Sequence, residues 1–596
     1  MRTRTFNIVG ISEGYHDAAC CVLADGALVA AAQEERFSRV KNDKSMPVRA
    51  FRYCLREAGL SIADVDAIAY YEDPVAKLGR QIWTGLFPGT PPDRKAAIFA
   101  RTFGATAEQQ LRRTLGYEGP IEIVDHHLSH AASAFFYSGY PEAAILTVDG
   151  VGEWCTTTYG RGSGAEISRF EAVTFPDSLG FFYSAITGYL GFEVNEGEYK
   201  VMGLAPYGEP VYAERLRRLV DELPGGQFRL NRAYFAFLAE ECMYSEELCH
   251  LLGQPPRVPD SELTRFHMDV ARSAQLVLEE ILLAKARYLH GRVGSDSLCM
   301  AGGVALNVVA NSRCLHEGPF RRLFVQPAAG DAGGCLGAAA LAHTRLTGGA
   351  PGTGPLAHVY VGPSNAADEI GQVLSRSRAA YRDCRGDERA LLRFTVDCLT
   401  EGKVVGWVQG RMEFGPRALG ARSILADPRG PDMRDRINAL VKMRESFRPF
   451  APAVLDSRRS DHFELDHASP FMLETCRVRS PLSLPAITHV DGSARVQTVD
   501  AETHPRFAAL LEEFERRTGC PILLNTSFNM RGEPIVCTAI DAILCFVRSQ
   551  IDVLILEDFV VERAGIPPLW EVMANERFER VQNPAAQVGH LVYTMF

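Results

Sequence analysis

Two histidines four residues apart, His126 and His130, are the first side chains in this chain whose spacing could do chemistry. They lie in Asp125-His126-His127-Leu128-Ser129-His130, where helical geometry puts both imidazoles on one face. Two carboxylates stand at bends elsewhere: Asp149 follows the apolar run Ala143–Val148, and Asp331 sits in Gly330-Asp331-Ala332-Gly333-Gly334. Two imidazoles and two carboxylates suit a borderline divalent ion such as Fe²⁺, Mn²⁺ or Zn²⁺. The residue after His126 is His127 rather than Glu, so the zincin HExxH pattern is absent. Clustered histidines also occur as hydrogen-bonding groups in a core, and the pair alone does not choose. His16-Asp17 is a second candidate: a neutral imidazole there would take a proton from a hydroxyl, the alternative being a plain turn pair.

A third constellation is cationic. VVGWVQGRMEFGPRALGARSILADPR begins at Val404, Lys442-Met443-Arg444 and RPFAP at Arg448–Pro452 follow, and Asn525-Thr526-Ser527-Phe528-Asn529 comes later. Arg is the natural bidentate partner of phosphate and carboxylate, so cations placed at loop positions expect a ligand with several negative charges. The chain carries a formal net charge of −10, so these cations are not part of a generally basic surface. Gly302-Gly303 and Gly330 each stand between an apolar strand pattern and a helix pattern. Glycines at such bends let backbone N–H groups approach a phosphate at a helix N-terminus, the alternative being tight structural turns. Glu196–Gly208, with Lys200, mixes charge and glycine and reads as a loop entering a helix.

The elements that position these residues repeat. Phe6–Ser12 reads as a strand, and Ala18–Leu23 and Ala27–Gln33 as a hairpin around Asp25-Gly26. A helix is expected at Val48–Ala58 and a strand at Ala67–Tyr71. The pattern returns with the strand Ala143–Val148, the bend Asp149-Gly150 and the hairpin Cys155–Tyr159 with Glu166–Phe170. Two copies of strand, bend and hairpin are what a duplicated ribonuclease-H-like nucleotide-binding fold shows. Leu346–Pro355, rich in Gly and Pro, marks the main domain boundary. Beyond it a helix at Asp387–Thr400 precedes strands at Lys403–Val408, Pro521–Leu524 and Val553–Leu556.

Bulk properties narrow the class. A chain of 596 residues exceeds a single core. No apolar run approaches the ~20 residues of a membrane span. Fifteen scattered cysteines without CxxC spacing, and an N-terminus that enters a strand directly, set the expectation of reduced thiols in a cytoplasmic protein. The acidic balance argues against bulk nucleic-acid binding.

YHDAACCVLADG with EERFSR, HHLSH, VDGVGEW, GEYKVMGLAPYG, GGVALN, GDAGG, EFGPRALGARSILADPR, KMRESFRPFAP and LNTSFN together resemble the nodulation-type and antibiotic O-carbamoyltransferase family, in order and over nearly the whole chain. The resemblance implies an α/β protein: an actin-like (ASKHA, duplicated ribonuclease-H-like) N-terminal domain over 1–350, a linker over 351–385, and a YrdC-like α/β domain over 386–596. It implies that the C-terminal domain makes carbamoyl adenylate from carbamoyl phosphate and ATP, and that the N-terminal domain moves the carbamoyl group to a hydroxyl. On matching positions it makes His126, His130, Asp149 and Asp331 the metal ligands, with Fe²⁺ the expected ion, other divalent ions as alternatives, and Mg²⁺ accompanying ATP. His16 would serve the acceptor hydroxyl. Arg417, Lys442, Arg444, Arg448, Arg495, Ser527 and Asn529 would line the adenylate-forming pocket, with Lys442-x-Arg444 and Ser527-x-Asn529 matching the YrdC pattern KxR…SxN. Gly302, Gly303, Asn307, Asn311 and Gly330 would meet the nucleotide. The segment Asn231–Ala236 departs from the family, with Arg232-Ala233 where an acidic residue is expected. The expected acceptor is a small hydroxylated metabolite such as a natural product, with no nucleic acid or membrane partner; a homodimer is common among such enzymes. A threonylcarbamoyl-type tRNA modification enzyme and a non-catalytic nucleotide-binding scaffold are the alternatives. The buried-looking aromatics Phe181, Phe182, Tyr183, Tyr189 and Phe192 fit either a core or an acceptor pocket.

Overall fold

The computed structural model describes residues 5–352, 354–439 and 445–581. Among these, 5–38 with 42–356 form one compact unit, and 357–581 with the short stretch 39–41 form a second.

The first unit holds the same sheet twice. β1 (Asn7–Ser12), β2 (Ala19–Ala24) and β3 (Ala27–Gln33) run antiparallel, and β4 (Ala67–Tyr70) and β5 (Ile121–Ile123) add in parallel on the far side of β1, giving the order β3-β2-β1-β4-β5. In the second half β6 (Glu142–Val148), β7 (Cys155–Ser163) and β8 (Glu166–Thr174) repeat the meander. A small hairpin of β9 (Val220–Glu222) and β10 (Phe228–Leu230) intervenes, and β11 (Ser297–Ala301) and β12 (Arg322–Val325) then complete the order β12-β11-β6-β7-β8. Three antiparallel strands followed by two parallel ones, present twice, is the actin-like duplication. The β2–β3 turn follows from Asp25-Gly26: both residues adopt positive φ, +48° and +79°, the conformation a two-residue hairpin favours.

The helix Asp331–Thr347 is buried over most of its length. It carries small residues because the fold demands close approach: a Cβ at Gly337 would stand 1.8 Å from the carbonyl oxygen of Ser129, on the helix His126–Phe135. The aromatics of 181–192 are core residues: Phe181, Phe182 and Tyr189 are fully buried, and Tyr183 and Phe192 nearly so.

The second unit is a mixed eight-stranded sheet with helices. Val405–Val408 runs parallel to Val553–Leu556 and antiparallel to Arg422–Ala426, which pairs with Ile522–Ser527, then Ala451–Leu455, then Gln497–Val499. The stretch 351–385, expected as linker, carries a helix and an edge strand of the second unit. The helix Ala367–Arg376 buries Ile370 and Leu374 in the core of the second unit, and Arg382–Asp383 adds an edge strand. Composition rich in small and polar residues concealed this helix, whose anchoring rests on two apolar side chains. Among the described residues no helix is long and apolar enough to cross a membrane.

Candidate functional site

His126 and His130 start the helix that follows β5, with Asp125 as its N-cap: Asp125 Oδ1 accepts from Leu128 N at 2.8 Å. Asp149 directly follows β6, and Asp331 is the first residue of the helix after β12. Four positions spread over 206 residues of sequence thus meet: one ligand atom from each lies within 4.8 Å of all the others, and every one of these side chains is buried. His126 Nε2 and His130 Nε2 stand 3.1 Å apart, and each contacts Asp149 Oδ2, at 3.1 and 3.2 Å. Asp331 Oδ1 lies 3.7 and 3.8 Å from the same two nitrogens.

The surrounding backbone fixes this geometry. Asp149 Oδ1 accepts from Gly150 N at 2.8 Å and Gly303 N at 3.0 Å, which leaves Oδ2 turned to the imidazoles. Gly302 makes the second of these contacts possible. Its φ is +95°, and a Cβ there would stand 2.2 Å from the Val148 carbonyl oxygen. His127 points elsewhere: its Nδ1 meets Thr147 Oγ1 at 2.7 Å and its Nε2 meets the Cys155 carbonyl at 2.8 Å. Burial and the neighbouring imidazoles push it down to about 3, so it stays neutral.

Electrostatically the cluster calls for positive charge. Burial works to lower His126, but its hydrogen bond to Asp149 and the charges of Asp331, Asp149 and Glu153 override it and raise His126 to about 9. Burial works to raise Asp149, and the two histidines hold it well below the usual carboxylate range. Two nitrogens and two carboxylate oxygens converge, and one shared Asp149 oxygen cannot satisfy both rings. A divalent cation would satisfy all four donors together, and the nitrogen–oxygen set fits a borderline ion.

His16 lies partly exposed in the loop after β1. Its Nδ1 contacts Asp17 Oδ2 at 2.9 Å. Burial opposes its charge, yet Asp331, Asp17 and Asp149 raise it to about 10, so it stands within electrostatic reach of the histidine–aspartate cluster. Sequence reading missed the residues behind this loop. The Tyr15 hydroxyl donates to the Gly152 carbonyl at 2.8 Å and accepts from Arg80 Nη2 at 2.9 Å. Glu153 Oε1 accepts from His126 N at 2.9 Å and Asp73 N at 2.6 Å. Glu153 lies in the quoted motif VDGVGEW, but Arg80 has no local signal.

The expected nucleotide contacts divide. Gly330 has an extended backbone (φ −72°, ψ −165°), and a Cβ there would meet nothing within 4 Å. Neither conformation nor protein packing requires a glycine at this helix start, which is what close approach of a ligand would require. Asn307 is engaged within the protein: its Oδ1 caps Ala310 N at 3.1 Å, and its amide exchanges hydrogen bonds of 2.9 and 3.0 Å with Gln275. Asn311 Nδ2 donates to the Ala305 carbonyl at 2.8 Å. Both amides therefore have a structural duty that their sequence context did not reveal.

In the second unit, register gathers the expected pocket residues at one end of the sheet. Ser423 pairs with Ser527, Ala451 with Asn525 and Ala453 with Gln497. The residues just before the first, third and fourth of these strands, and the end of the second, therefore share an edge. They carry Arg417, Arg448, Arg495, Ser527 and Asn529. Ser527 Oγ donates to Asn529 Oδ1 at 2.8 Å, and Asn529 Nδ2 to the Glu533 carbonyl at 2.7 Å. Lys442 and Arg444 lie outside the described residues. Not every cation of the GPRALG stretch faces a ligand. Arg422 is fully buried and donates to the carbonyls of Cys537, Gln409, Gly410, Ala421 and Pro363, at 2.9 to 3.3 Å. Arg411 donates to the Gly362 carbonyl, and Arg429 pairs with Asp427.

Comparison with known proteins agrees with the division into two units. The family described as carbamoyltransferase N-terminus matches residues 7–81 and 96–340, and that described as carbamoyltransferase C-terminus matches 396–563. An uncharacterized protein of Synechocystis sp. is 45% identical, over 94% of this chain and 97% of its own length. The nodulation protein NolNO of Sinorhizobium fredii is 38% identical, over 94% of this chain and 81% of its own. A 3'-hydroxymethylcephem-O-carbamoyltransferase of Amycolatopsis lactamdurans is 38% identical, over 49% of this chain and 54% of its own.

Proposed function

This chain belongs to the carbamoyltransferase family, and on that premise we propose that it is an ATP-dependent O-carbamoyltransferase acting on a hydroxyl of a small metabolite. The observation that carries this reading is the buried convergence of His126, His130, Asp149 and Asp331 with His16 in electrostatic reach.

In this proposal the second unit, read as YrdC-like, performs the activation. Carbamoyl phosphate loses phosphate to water, and the resulting carbamate attacks the α-phosphorus of ATP, releasing pyrophosphate and leaving carbamoyl adenylate. Arg417, Arg448 and Arg495 at the shared sheet end, with Lys442 and Arg444, hold the phosphates, as cations in a partly dry site do. The first unit performs the transfer. The acceptor oxygen attacks the carbamoyl carbon, its proton goes to His16, which a cation offsetting the Asp149 and Asp331 charges would leave neutral, and the bond to AMP breaks with the electron pair leaving on the phosphate. Asp17 holds His16 by Nδ1, which directs Nε2 toward the acceptor. His126, His130, Asp149 and Asp331 would hold a divalent ion, which would supply positive charge to stabilise the negative charge that develops in the transfer. Gly330, at the start of its helix, lets the adenylate phosphate approach the backbone.

The test is incubation of the Fe²⁺-loaded protein with ATP and labelled carbamoyl phosphate, without acceptor. Carbamoyl adenylate and pyrophosphate are expected from the wild type and neither from Arg417→Ala. ATP binding without pyrophosphate release, with or without candidate hydroxyl acceptors, would overturn the reading in favour of a binding protein.

A further inference from the structure

Within the first unit, His16 and the two carboxylates of the cluster belong to different halves of the duplicated fold. His16 is in the loop leaving β1, whereas Asp149 and Glu153 follow β6. One buried arginine joins the two segments. Arg80, fully buried on the helix Pro74–Gly85, donates through Nε to the Glu153 carbonyl at 2.6 Å and through Nη2 to the Tyr15 hydroxyl at 2.9 Å. The Tyr15 hydroxyl donates to the Gly152 carbonyl at 2.8 Å. Lys77, on the same helix, lies with Nζ 3.6 Å from the Tyr15 ring centroid. The Glu153 side chain holds the first turn of the helix that bears His126 and His130, through His126 N.

Tyr15 is covalently adjacent to His16, so whatever fixes Tyr15 fixes the start of the His16 loop. Glu153 is adjacent through a hydrogen bond to His126, so whatever fixes Glu153 fixes the helix of the cluster. We infer that Arg80 and Tyr15 are positioning residues that hold His16 at a set distance from the His126–His130–Asp149–Asp331 site. The guanidinium bonds one carbonyl and one hydroxyl, on the segments that carry Glu153 and His16. Buried hydrogen bonds of this kind keep their geometry because a broken one leaves an unsatisfied polar group. The inference rests on the proposed function, since the distance it sets matters only for a base and a metal site that act together.

The experiment uses Co²⁺ as the probe of the metal site and histidine-labelled protein. The paramagnetic shift of the His16 ring protons reads their separation from the ion. Tyr15→Phe removes both hydroxyl hydrogen bonds while keeping the ring under Lys77, and Arg80→Lys keeps the charge but cannot span both acceptors. The expected result is one Co²⁺ bound in wild type and both variants, with the His16 shift altered in both and carbamoyl adenylate formation unchanged. Co²⁺ binding with an unaltered His16 shift in both variants overturns the strut alone. Absence of Co²⁺ binding in the wild type overturns the metal site and the inference with it. If Arg80→Lys fails to fold, as judged by circular dichroism, Tyr15→Phe alone decides.

Discussion

The guanidinium of Arg422 in the second unit and the His126–His130–Asp149–Asp331 cluster in the first are equally removed from water, and they are satisfied in opposite ways. Every nitrogen of Arg422 meets a backbone carbonyl, and the neighbouring Glu413 accepts from the backbone N–H groups of Leu419, Ala421 and Arg422. In the cluster, side chains meet only one another at their inner atoms, and Nδ1 of both His126 and His130 is buried without a protein hydrogen-bond partner. A polar group answered by backbone organises the chain; donors that converge on a point without a counter-charge leave room for a cation. Residue type alone would have put both in the same class of candidate ligand groups.

The comparison is broken most forcefully at Arg422. Arg422→Met should cost about 3–5 kcal/mol of stability, since it strips several buried carbonyls of their donor; denaturant unfolding reads it, and a loss within experimental scatter would show that the carbonyls find other partners. At the cluster the effect should appear in function. Asp331→Asn and His130→Gln should each lower metal content and reduce carbamoyl transfer about 100-fold, while unfolding free energy moves by about 1 kcal/mol or less. Metal analysis alongside activity checks this, and a large stability loss would make the cluster structural after all.

Lys285 is the intermediate case. The residue is 2% exposed, and its ammonium donates to the Gly226 carbonyl at 2.6 Å and the Tyr159 hydroxyl at 3.0 Å and stands 4.3 Å from the Phe228 ring centroid. Burial pushes it from its ordinary value of 10.5 down to about 7. The unfolded chain therefore binds more protons across that window, so Lys285 makes stability rise as pH increases from 7, by roughly 1–2 kcal/mol up to pH 9. Unfolding of wild type and Lys285→Met compared at several pH values should show the slope in the wild type alone. The smallest effect is expected at Asn307. Asn307→Ala should cost about 1 kcal/mol through the lost helix cap, and Asn307→Ser should restore most of it. If Asn307→Ser also weakens ATP binding, the amide meets the nucleotide as well as the helix.

Much of the fold was legible because it repeats locally. Asp25-Gly26 announced the β2–β3 turn, and apolar runs ending in Gly or Asp announced β1, β6 and β11. The helix Ala367–Arg376 was not legible, since its apolar face is narrow and lies in a stretch whose glycines and prolines read as linker. The four residues of the cluster were legible by type, as was His16. Arg80 was not, because nothing near it in sequence distinguishes a strut from any surface arginine. Asn307 and Arg422 carried the right chemistry for ligand binding, yet the fold uses both internally.

The sequence by itself determined the duplication, the family and the candidate donors, because strand patterning, turn chemistry and residue type are written locally. Only the tertiary structure decided which donors converge and which are consumed by backbone. Hydrogen-bond satisfaction depends on partners distant in the chain: Asp149 and Asp331 are 182 residues apart in sequence and meet at the same two nitrogens. No pattern read along the chain carries that distance.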